Sequence, residues 1–342
     1  MSVFMTEIFN QPDVMIETAE SVKAQLTQLS EAMRHAKRII FTGMGSSSSA
    51  VYPSLLRLTA GGIDVRSIEA SELLYYQTQA ITSDTLIIVI SQSGRSAEIT
   101  PLLELARQKQ ASVLGITNTP DSPLHQQSPA SLVMRAGTEA TVATKTYTCT
   151  LTLLHLLTSW FLQEDLDDAL HALTSLAHVI REHLPSWHLQ MTTQADRWTR
   201  TGFIEYLGRG SSMASATTAA LISKESIKIP TESMNAGQFR HGPIELVDEH
   251  FTGMLFIGSE PTRQFNRGLA EEIVRHGGQL VLISQIDLAI KGTEWVIMPE
   301  CSPALLPFAE IIPVQLFCGE MSTRRGYEAG QFRYIAKVTI QE

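Results

Sequence analysis

The strongest constraint on this chain is an internal duplication. FTGMGSSSSA at residues 41–50 returns as YLGRGSSMASA at 206–216, and LIIVIS ending at Ser91 returns as GMLFIGS ending at Ser259, an offset of about 165 residues. In each copy an apolar run of strand character leads into G-x-G-S-S and then into a helix-forming stretch rich in Ala and Ser. A unit repeated at this length is a domain, and 342 residues hold roughly two domains of ordinary size.

The rest of the pattern agrees. Apolar runs at Arg38 to Thr42, Leu86 to Ile90, Val113 to Thr117 and Leu132 to Met134 alternate with helical stretches, and Ile204 to Leu207, Met254 to Ile257, Leu280 to Ser284 and Trp295 to Met298 repeat the rhythm. Strands separated by helices pair in parallel and are covered on both faces, so the expected fold is two tandem three-layer α/β/α sandwich domains with mainly parallel sheets. Val22, Leu26, Leu29 and Met33 keep a helical period ahead of the first strand, and Leu166, Leu170, Leu173 and Leu176 do so between the halves. The expected segments are an N-terminal helical segment 1–35, a first domain 36–165, a helical linker 166–195, a second domain 196–330 and a tail 331–342. Tyr334, Ile335, Val338 and Ile340 make that tail apolar enough to dock at the active site.

A formal charge of −9 without a basic run argues against nucleic acid as a partner. Cys149, Cys301 and Cys318 form no CxxC pair, which suits a reducing compartment and neither a disulfide framework nor a zinc knuckle. The start MSVFMTEIFNQPDV carries Glu7 where a signal peptide would be basic and then apolar. Leu151 to Leu162, interrupted by His155, reads as a buried core helix well short of the ~20 residues that cross a bilayer. A cytoplasmic protein that uses no membrane is expected.

The two G-x-G-S-S turns aim free backbone N–H groups and hydroxyls at an anion. The third Gly of a dinucleotide fingerprint is missing after Gly43 and Gly45, and no GxxxxGK[ST] occurs, so a sugar phosphate suits the loop better than NAD or ATP. The next strand of the first half ends in Ser91, Gln92, Ser93, Gly94, Arg95 and Ser96, a dense set of hydroxyls before a helix. One such turn alone also serves as a plain helix cap; two after neighbouring strands point to phosphate. In the second half Glu260 stands where the first half has hydroxyls, so one phosphate site per chain is expected, in the first half.

Between 221 and 247, LISKESIKIPTESMNAGQFRHGPIELV gathers three Glu, two Lys and one His around a helix-to-loop transition at Pro230. Glu225 on the helix and His241 in the HGP turn are the candidate proton-transfer pair. Lys145 and Lys337 are further candidates, Lys337 holding a phosphate or carbonyl if the tail docks. His183 and His188 are five apart, with Pro185 between them to break any helix aligning them as metal ligands, and no HExxH occurs, so no metal is expected.

GMGSSSSA, SQSGRSAE, AGTEATVATKTYT, LGRGSSMAS, GQFRHGP and the tail R-Y-I-A-K, in that order, resemble the double sugar isomerase (SIS) domain family. Within that family the resemblance is to the isomerase half of glucosamine-6-phosphate synthase and to the fructoselysine-6-phosphate deglycases. It implies two SIS-type sandwiches, with Ser46, Ser47, Ser91, Gln92, Ser93 and Ser96 around the sugar phosphate. It also implies Glu225 as the base at C1/C2, His241 in ring opening or leaving-group protonation, Lys337 on the open-chain sugar, and a homodimer sharing its active site between chains. Three departures matter: Ser2 replaces the synthase's N-terminal Cys nucleophile, Ile222 stands where the synthase has Lys, and Gln238 replaces the usual Glu before F-[RK]-H-G-P.

The expected activity is therefore cofactor-free processing of a 6-phosphorylated ketosamine or aminosugar, with proton transfer at C1/C2 and C–N bond cleavage, without glutamine as amine donor. The alternatives are an ammonia-linked aminosugar-6-phosphate isomerase or deaminase, and a non-catalytic phosphosugar-binding regulator.

Overall fold

Among the described residues ten strands form two sheets, eight of them from the apolar runs. The computed structural model describes residues 1–334 and 336–338; the tail positions Ile335 and Ile340 lie outside the described residues. In the first half the strands are β1 (Arg38–Gly43), β2 (Val65–Ser67), β3 (Thr85–Ile90), β4 (Ser112–Thr117) and β5 (Ala130–Val133). In the second they are β6 (Ile204–Gly208), β7 (Thr231–Asn235), β8 (Thr252–Phe256), β9 (Gln279–Ser284) and β10 (Thr293–Ile297). All pairings are parallel, in the orders β2-β1-β3-β4-β5 and β10-β9-β8-β6-β7. Read from its other edge, the second order is the first one repeated, so the duplication seen in sequence is a duplication of topology. Helices complete two tandem α/β domains.

The central strands are apolar on both faces because both faces are covered. All six residues of β3 are buried, and Ile40, Ile87, Val89, Leu102 and Leu124 share one core cluster. Leu207, Leu255, Leu269, Leu280 and Leu282 are central to the corresponding cluster of the second sheet. The helix Lys145–Phe161 is buried at nearly every position, His155 excepted.

Two strands escape the apolar-run criterion. β2 has three residues and β7 reads TESMN; both are edge strands that gain register from one neighbour only. β7 also replaces the loop expected after Pro230. The helix Leu166–Arg197 runs unbroken through Pro185, contrary to the break expected there. A proline costs a helix interior about 3 kcal/mol, but buried Leu184, Trp187, Met191 and Ala195 hold the helix on both sides of it.

The chain divides into two compact units. One comprises residues 1–9, 140–142 and 178–332; the other comprises 10–139, 143–177 and 333–342. In the first of these, Glu7 accepts hydrogen bonds from the Ala140 N–H (2.5 Å) and the Thr141 hydroxyl, which ties the opening helix Val3–Phe9 to that loop. No helix among the described residues is long and apolar enough to cross a membrane.

Candidate functional site

In an open parallel sheet, ligands bind beyond the carboxyl ends of the strands where the strand order reverses, between β1 and β3 in the first half. Gly43 and Ile90 are register partners at those ends. β1 passes through Gly45, at φ 55°, into the short helix Ser46–Ser49, which carries half-buried Ser46 and Ser47. A Cβ on Gly43 would lie 2.8 Å from the Ile90 carbonyl and 3.3 Å from Ser47 Cβ, so glycine allows this turn to sit close against β3.

β3 runs directly into the second serine turn. Ser91 is buried; its hydroxyl accepts from the Gly94 N–H at 3.1 Å and lies 3.1 Å from the Ser96 hydroxyl. The Ser93 hydroxyl accepts from the Arg95 N–H at 3.2 Å. Gly94 adopts φ +61°, and a Cβ there would come within 2.2 Å of Ser122 Oγ. The predicted Ser46, Ser47, Ser91, Gln92, Ser93 and Ser96 thus occupy two adjacent turns at one reversal point.

Gln92 and Ser93 open onto a cavity of 680 Å³, within the size range of small-molecule sites. Asn118, Arg135, Glu139 and Lys337 also line it. Lys337 Nζ is 2.8 Å from Glu139 Oε2. The fully buried Glu139 carboxylate also accepts from the N–H and hydroxyl of Thr144 (2.9 and 3.2 Å) and of Thr146 (3.0 and 2.7 Å), anchoring the first turn of the helix Lys145–Phe161. Glu139 was not among the residues singled out from sequence; the available signal was an acidic residue shortly before an apolar helix. Lys145 is buried and donates to the Thr138 carbonyl at 2.7 Å.

Glu225 and His241 belong to the other unit. Glu225 is half-buried in the last turn of the helix Met213–Ser226, and its carbonyl accepts from Lys228 Nζ, which also donates to the Gln331 carbonyl at 2.7 Å. His241 is exposed just after the turn of helix Ala236–Phe239, its N–H donating to the Gln238 carbonyl at 2.9 Å. Ile222, one turn before Glu225, is buried, so the position expected to carry Lys belongs to the core. His155 is half-buried: Arg57 Nη1 lies 3.2 Å from its Nδ1, and desolvation followed by Arg57 pushes its pKa down to about 3. His188 meets Glu320 at 2.7 Å and His183 the Val179 carbonyl at 2.9 Å.

With this geometry in hand, residues 32–159 match the SIS domain family. The chain is 29% identical to the glutamine–fructose-6-phosphate aminotransferase (isomerizing) of Thermococcus kodakarensis, over 98% of its own length and 58% of that protein's. It therefore spans little more than half the length of that relative. In fold it is similar to the C-terminal domain of glucosamine-fructose-6-phosphate aminotransferase from Francisella tularensis, at TM-score 0.86 and 21% identity, covering 97% of this chain and 98% of that one. It is also similar to tagatose-6-phosphate ketose/aldose isomerase from Escherichia coli, at TM-score 0.78 and 21% identity, covering 96% and 94%.

Proposed function

We propose that this chain, which carries an SIS domain and has the architecture of phosphosugar isomerases, is an enzyme acting on a 6-phosphorylated ketosamine or aminosugar. The observation that carries the reading is the pair of serine turns at the β1/β3 reversal point, the second of which opens through Gln92 and Ser93 onto a cavity walled by Lys337. Hydroxyls and N–H groups there suit a tetrahedral dianion, and the cavity has room for an open-chain hexose beyond it.

In this reading Ser46, Ser47, Ser91, Gln92, Ser93 and Ser96 grip the phosphate and Lys337 steadies the sugar's oxygen atoms. Glu225 removes the C1 proton of the ketosamine, the electron pair moving to give a C1–C2 enolamine. Protonation at C2 then leaves an imine at C1. Water adds to that imine, and His241 protonates the nitrogen as it departs, releasing an aldose phosphate and an amine. A second copy of the chain completes the site in the same reading.

The test incubates purified protein with 6-phosphorylated ketosamines and aminosugar phosphates and follows hexose 6-phosphate and released amine. Release of an amino acid, abolished in both Glu225→Gln and His241→Ala, supports a deglycase; release of ammonia moves the reading to an aminosugar isomerase or deaminase. Tight phosphosugar binding without turnover leaves a regulator and sinks the enzyme.

A further inference from the structure

The second sheet has its own reversal point, between β6 and β8, and the sequence repeats its serine turn there. Ser211 and Ser212 correspond to Ser46 and Ser47 by the repeat. Ser212 lies at the crevice itself, because a Cβ on Gly258, which follows β8, would stand 3.5 Å from its hydroxyl. That turn starts the helix Met213–Ser226, which is long enough to present a positive end.

A carboxyl group is already there. Glu310, from the helix Leu306–Arg324, is buried and accepts hydrogen bonds from the Ser212 hydroxyl at 2.7 Å and the Ser215 hydroxyl at 2.6 Å. Glu260, expected to repel a phosphate here, instead has a largely exposed side chain 3.6 Å from Arg263. We infer that the Glu310 carboxyl group occupies the phosphate position of the second serine turn, so that each chain takes up a phosphate at the first turn only. The Ser212 and Ser215 hydroxyls at this helix start, which could otherwise serve an anion, already donate to this carboxyl group. Burial pushes the Glu310 pKa up to about 7 against the pull of Ser215 and Ser212. The part concerning the first turn rests on the function proposed above.

The experiment counts inorganic phosphate bound per chain by equilibrium dialysis. The intact protein should bind one equivalent and Glu310→Ser two, the second being lost on adding Ser212→Ala. Glu310→Asn, shortened and uncharged, is the second variant should Glu310→Ser fail to fold. In the otherwise native chain Ser212→Ala must leave the count unchanged. Two equivalents in the intact protein, no gain in a folded Glu310 variant, or a loss in Ser212→Ala alone would overturn the inference. No phosphate in the intact protein with one equivalent in Glu310→Ser would overturn the first-turn reading and leave the role of Glu310 standing.

Discussion

Lys337 and Glu139 are joined by a 2.8 Å ion pair in the wall of the first domain's cavity, and the same carboxylate holds the start of the helix Lys145–Phe161. The two ends of this pair are not equivalent. Removing Glu139 strips partners from two buried N–H groups, two hydroxyls and an ammonium, whereas removing Lys337 leaves the carboxylate four hydrogen bonds. Glu139→Ala should therefore cost about 3 to 5 kcal/mol, and Lys337→Ala, which leaves a buried carboxylate still bonded to four donors, should cost clearly less. Urea unfolding of both variants checks this, and equal losses would refute the asymmetry.

Gly94 is the backbone hinge of the Ser91–Ser96 turn. Its φ of +61° and the 2.2 Å approach of a Cβ to Ser122 Oγ leave no room for a side chain. Gly94→Ala should lose roughly 1 to 2 kcal/mol from the left-handed backbone alone, with more from the clash, and should weaken phosphate binding at least tenfold. Calorimetric titration with phosphate, paired with a thermal melt, reads both effects; unchanged binding would show that the turn is not the phosphate cradle.

Glu205 on β6 faces Glu232 on β7 in register, and burial followed by that neighbour pushes its pKa up to about 8. Because the folded-state value lies above the ordinary 4.5, its contribution is fully present below about pH 4.5 and is lost as pH rises through about 8. At about 1.4 kcal/mol per pKa unit the loss is on the order of a few kcal/mol. Glu205→Gln should flatten this limb of the stability curve and exceed the native chain in stability above pH 8. Parallel curves for the two proteins would contradict it.

His155 acts at the acid end. Its pKa, pushed down from 6.5 to about 3, makes the neutral ring the folded form, so its contribution is present above about pH 6.5 and is lost as pH falls toward 3. Ring proton resonances of His155 should show no protonation between pH 5 and 7. A His155 ring that protonates near pH 6 would show that Arg57 and burial do not act as described.

Much of this was readable in the chain. Continuous apolar runs mark β1, β3, β4, β6, β8 and β9 because parallel strands are buried on both faces, and the repeated G-x-G-S-S turns locate both reversal points. β2 and β7 were missed since an edge strand takes its conformation from a neighbour and not from its own hydrophobicity. The helix through Pro185 was missed for a related reason: packing of Leu184 and Trp187 outweighs a local penalty.

The sequence by itself determined the duplicated parallel architecture and the position of the serine turns, since these depend on patterns spanning a few residues at a time. Only the tertiary structure decided what meets those turns. Glu139 and Lys337 are 198 residues apart, and Glu310 and Ser212 are 98 apart. Such pairs have no period along the chain; they exist because folding withdraws a carboxylate from water and leaves it bound to the donors the sheet has brought beside it.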